Sequence, residues 1–97
     1  MSIKNKTADL IYTLMVSTSA QKVSSVAKRI IDSIQDDKVE NQVLGLAACL
    51  IIMLHQYDLN HVDVLGIADN IVYSGLNNNM LPDFKAIKRY MKNEWEI

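Results

Sequence analysis

The densest collection of reactive side chains in the sequence is His55-Gln56-Tyr57-Asp58-Leu59-Asn60-His61-Val62-Asp63, which gathers two imidazoles and two carboxylates. Zinc and other divalent ions accept these ligand types, and general acid–base catalysis uses the same groups. His55 and Asp58 share a helical face, but His61 falls beyond a turn, and the spacing matches no established metal motif. Each residue also has a local explanation. Asp58 suits a turn, Asp63 suits the first turn of a helix with its positive dipole end, and His55 and His61 are polar residues at helix ends. The sequence therefore predicts no metal site, no cofactor and no catalytic group in this stretch.

Other chemistry finds less support. Cys49 is the one cysteine and lies in the apolar run Ala47-Ala48-Cys49-Leu50-Ile51, so it forms no disulfide within the chain and reads as a small buried hydrophobe. A chain with a single such thiol suits a reducing cytoplasm. The glycines Gly45, Gly66 and Gly75 stand far apart and build no phosphate-cradling loop. Ser17, Ser19, Ser24 and Ser25 sit in no nucleophile-elbow pattern, and the sequence is not read as an enzyme.

A binding surface is better marked. Lys85, Lys88, Arg89 and Lys92 line one face of the C-terminal segment, opposite Phe84, Ile87, Tyr90 and Met91, and Trp95 follows past the stripe. Arg and large aromatics are enriched at protein-binding hot spots, which makes Lys85, Lys88, Arg89, Lys92 and Trp95 the candidate partner-binding residues. A nucleic acid is the alternative ligand, and the span from Val62 to Lys92 resembles a helix-turn-helix. Against that, the loop from Gly75 to Leu81 exceeds the usual turn of about three or four residues, and the acids Glu94 and Glu96 follow the basic run. A net charge of −1 supplies no general attraction to phosphate.

The elements that must carry this surface are helices. Ninety-seven residues make one small domain, and a chain 49% hydrophobic and 22% charged lies outside the disordered range. Three glycines and one proline leave too few turn formers for a sandwich or barrel. The expected fold is an all-α bundle of four to five helices over residues 1–97, with the segment 1–18 less decided. Helices are predicted near 20–35, 38–57, 61–74 and 82–93, with another near 7–16. Residues 7–35 could instead form one long bent helix, and 11–16 have enough β character for a strand.

Start and stop signals accompany the pattern. Thr18 with Gln21, and Asp37 with Glu40, read as capping boxes; Asn60 with Asp63 is a third start, and Pro82 with Asp83 a fourth. Gly75 is expected to close the third of the main helices before a polar loop at 76–79.

The run Val43–Leu54 is apolar on every side of its helix, so other helices or a partner subunit must surround it, and Gly45 and Gly66 inside helices point to close helix–helix approach. Twelve residues fall short of the roughly 18 to 20 needed to cross a bilayer, so this reads as a core helix of a protein without a membrane segment. The basic N-terminus lacks a signal-peptide pattern. Charge is uneven, with +3 over residues 1–35, −5 over 36–81 and +1 over the rest, a division that can steer subunits of an oligomer. The expectation is a regulatory or interaction module that binds itself and another protein. Its short length and Ile-, Asn- and Lys-rich usage suit a viral or bacterial accessory protein.

Overall fold

A computed structural model describes residues 3–73 and 80–95, with side chains from Lys6 onward. Among them the chain forms five helices and no strand: α1 (Ile3–Ser17), α2 (Ala20–Ile34), α3 (Val39–Gln56), α4 (His61–Tyr73) and α5 (Pro82–Glu94). The all-α reading holds, and both the strand and the single bent helix are overturned for the N-terminal third. The break falls at Thr18–Ser19. Ser17 Oγ donates to the carbonyls of Thr13 and Leu14, and Ser19 then caps α2 by accepting from the Lys22 amide at 3.1 Å. The cap is Ser19 rather than Thr18; adjacent hydroxyls offer the same chemistry, and only Ser19 occupies the extended backbone position before the first turn.

A second correction concerns α3. Its N-cap is Lys38, with no side-chain cap, and not Asp37. The Asp37 amide still donates to the Ile34 carbonyl at 3.0 Å, so this residue belongs to the exit from α2 and cannot open the next helix. At its other end α3 closes without glycine. Asp58 takes a left-handed φ of 54°, and the Leu59 amide donates back to the Leu54 carbonyl at 2.9 Å, the six-to-one bond of a Schellman motif. Asn60 then starts α4, its Oδ1 accepting from the amides of Val62 and Asp63. The Tyr12 hydroxyl accepts from the Asn60 amide at 2.6 Å, which ties α1 to this junction. Pro82 opens α5 at its first turn. Gly75 and the expected loop at 76–79 lie outside the described residues.

The helices do not share the core equally. α2 packs along α4 and α5, and no other pair of helices is packed to that extent. Ala8, Ile31, Leu54 and Phe84 are the buried apolar residues, and no side chain among the described residues is completely enclosed. The chain measures 48 × 32 × 19 Å with a radius of gyration of 14.9 Å, against about 12.5 Å for a compact domain of this length. It exposes 7454 Å², about 1,800 Å² more than a typical folded monomer of 11.0 kDa.

The shortfall in burial is concentrated in α3. Leu44 and Ile52 are each 67% exposed, and Val43, Ile51 and Met53 are also open. The helix expected to be surrounded by other helices or by a partner subunit stands largely at the surface of its own chain. Cys49 is exposed with it, so its reading as a buried hydrophobe is corrected. The close approach expected at the helix glycines is absent too. A Cβ built on Gly45 or Gly66 meets nothing within 4 Å.

Candidate interaction surface

The five residues singled out for partner binding fall in two environments. Lys85, Lys88, Arg89 and Lys92 are exposed along α5, and among the described residues none has an ion-pair partner. The apolar side of the same helix faces the bundle, with Phe84 buried and Ile87, Tyr90 and Met91 half-buried. Lys88 borders an open apolar groove of about 430 Å³, whose walls include Ile31, Leu46, Phe84, Ile87 and Met91. α5 is thus anchored on one side and presents a row of cations on the other.

Trp95 is separated from that row. It is half-buried in a crevice lined by Gln35, Asp36, Lys38, Tyr90 and Glu94, and its backbone amide donates to the Met91 carbonyl at 2.9 Å. Its indole docks on the α2–α3 junction. The basic row and the tryptophan therefore do not form one continuous patch.

A polar network that sequence reasoning missed fixes α5 against that junction. Gln42 is buried, 3% exposed, and its Nε2 donates to the Asp37 carbonyl at 2.8 Å and to the Tyr90 hydroxyl at 3.2 Å. Tyr90 in turn donates to the Gln35 carbonyl at 3.3 Å. A buried amide must satisfy its hydrogen-bonding groups, and here it does so by joining three helices. The one signal in the sequence was a glutamine at the start of an otherwise apolar helix.

The histidine-rich stretch is spread out on the surface. His55, Asp58, His61 and Asp63 are all exposed, and among the described residues no three His, Cys, Asp or Glu side chains are grouped to hold a metal ion. Asp58 is occupied in closing α3 and Asp63 follows the Asn60 cap. Purified protein is expected to carry no stoichiometric zinc, and chelator is expected to leave its thermal midpoint unchanged. One equivalent of metal per chain, lost in His61→Ala, would contradict this.

By length and composition α3 could cross a membrane, with a mean hydropathy of 1.3 over its 18 residues and 11% of them buried. Its ends carry Glu40, Asn41 and Gln42 on one side and His55 and Gln56 on the other. The uninterrupted apolar stretch, Val43–Leu54, spans about 18 Å as a helix, well short of the roughly 30 Å hydrocarbon layer.

Comparison with protein-family models, with curated proteins and with solved structures returns no match. The geometry alone defines the class: an all-helical chain with an open apolar helix and a separate basic face.

Proposed function

We propose that the protein is a small interaction module, acting in the cytoplasm by binding copies of itself and a second protein rather than by catalysis. The observation that carries this reading is the apolar surface of α3, which its own chain leaves uncovered. Exposed apolar patches of this extent mark protein or membrane contacts, since their exposure to water is otherwise unfavourable. The basic row on α5 supplies the second surface. Among the described residues its side chains are not consumed by ion pairs, and the helix beneath them is held in place by Phe84 and the Gln42–Tyr90 contact.

The test has two parts. Light scattering at micromolar concentration is expected to return a mass above 11.0 kDa, and a monomer mass throughout would end the self-association reading. The double substitution Arg89→Glu with Lys92→Glu is expected to move stability by no more than about 0.5 kcal/mol while weakening capture of the second protein. Unchanged capture would shift the search to the acidic surface around Asp63 and Asp69. The four cations, without ion-pair partners among the described residues, also favour a nucleic acid as the second ligand. Retention that falls steeply with salt, as released counterions require, would identify that ligand instead.

A further inference from the structure

The apolar groove beside Lys88 is built by four helices rather than one. Ala27 and Ile31 enter it from α2, Leu46 from α3, Val72 from α4, and Ile87 and Met91 from α5. Its volume of about 430 Å³ falls within the range of about 300–1,000 Å³ typical of small-molecule sites. Among the described residues no carboxylate lines it, and Lys88 is the one charged side chain in its wall. Lys88 is exposed and has no ion-pair partner among those residues. Two other cavities lack this pairing. The one between α2 and α3 is edged by Asp37 and holds no cation, and the Trp95 crevice sets Asp36, Asp37 and Glu94 beside Lys38.

The geometry points to a binding site for a free single-chain carboxylate of the fatty-acid class, its chain along the groove and its head at the Lys88 ammonium. Size selects one chain. A dry cavity of about 150 Å³ takes one benzene ring, so this groove has room for about twelve to sixteen carbons. One turn of a partner helix about 11 Å across occupies about 500 Å³, more than the whole groove. A phospholipid brings two chains where there is room for one. Met80 and Met91 add unbranched side chains that adapt to a flexible ligand. Charge selects the head, since a carboxylate meets a cation here and no acid opposes it. The site draws on none of Lys85, Arg89 and Lys92, and its test needs neither a dimer nor a second protein. It therefore stands or falls separately from the interaction reading above.

Isothermal titration with sodium dodecanoate, kept below the concentration at which it self-associates, is expected to show one saturable site per chain. Decanoate is expected to bind about four- to fifteen-fold more weakly, as the loss of two partly or fully buried methylenes requires. Dodecyltrimethylammonium, with the same chain and the opposite charge, is expected to bind more weakly than dodecanoate. Lys88→Gln is expected to weaken dodecanoate about two- to five-fold, the range of an exposed ion pair. Ile30→Glu sets a carboxylate in the groove wall at a position 39% exposed, and is expected to abolish binding while keeping its helical circular dichroism. Val62→Glu, outside the groove on α4, is expected to leave binding unchanged. Should Ile30→Glu fold poorly, Lys88→Glu at an exposed position reads the same repulsion and is expected to cost more than Lys88→Gln. Absence of saturable dodecanoate binding would overturn the site, as would equal binding of the cationic chain. Affinity untouched by Lys88→Gln and Lys88→Glu would overturn the assignment of the carboxylate, and affinity untouched by a folded Ile30→Glu would place the chain elsewhere. A protein that ignores dodecanoate but sediments with phosphatidylcholine–phosphatidylglycerol vesicles would replace the free ligand by a membrane.

Discussion

Phe84→Ala is expected to be the most damaging truncation in the chain, lowering stability by about 3–5 kcal/mol. Phe84 is 7% exposed in a bundle with four buried apolar residues among those described, and it holds the first turns of α5 close to Ile31 on α2. Small domains are stable by about 5–15 kcal/mol in total, so this one side chain accounts for a large share. Each kcal/mol moves the midpoint of a domain this size by about 4–8 °C, and the expected fall is therefore more than 10 °C. Thermal unfolding followed by circular dichroism at fixed protein concentration measures it. Val62→Ala, at a position 65% exposed, serves as the control and should move the midpoint little. A loss below about 1 kcal/mol at Phe84 would show that α5 is not anchored through this ring.

Gln42→Leu comes next, with an expected loss of about 1–3 kcal/mol despite the gain in apolar character. The substitution keeps the volume but removes the donor to the Asp37 carbonyl and to Tyr90, leaving two polar groups without their partner at the α2–α3–α5 junction. Tyr90→Phe in the Gln42→Leu background separates the pair from its surroundings. If the two side chains act through their mutual bond, the double variant should lose less than the sum of the single ones. Urea midpoints read the cycle. Additive losses would show that Gln42 acts through the Asp37 carbonyl alone.

Most of the helical pattern was legible in the residues. Predicted spans of 20–35, 38–57 and 82–93 differ from α2, α3 and α5 by no more than one residue at either end, and the span predicted from 61 opens with α4, because start signals and apolar periodicity agree to within a residue. Asn60 and Pro82 were placed correctly for the same reason: an amide oxygen before a first turn and a ring without an N–H each have few alternatives. The N-terminal helix was harder. It begins at Ile3 rather than near 7, and its polar residues obscure the periodicity.

What could not be read was the fate of α3. Apolar residues on every side require cover but do not say whether it comes from the same chain or from a partner, and the sequence left both open. Gln42 was illegible for a related reason. A glutamine in a first turn is ordinarily solvated, and only the fold brings Tyr90 to it from 48 residues away. The basic row on α5 was read directly, since charges repeated at helical spacing leave one solvent-facing solution. Trp95 lay beyond the periodic stripe, a position from which it could either dock on the bundle or stay free for a partner, and the periodicity did not decide between them.

The order of the helices governs what a growing polypeptide shows to the cell. α2 is the hub of the bundle, yet α4 and α5, which cover it, are both encoded after α3. The chain is made from its N-terminus, so the apolar sides of α2 and α3 leave the ribosome ahead of both covering helices. Neighbouring ribosomes on one messenger would then release α3 surfaces close to one another. Subunits made from the same transcript could meet during synthesis, before diffusion separates them.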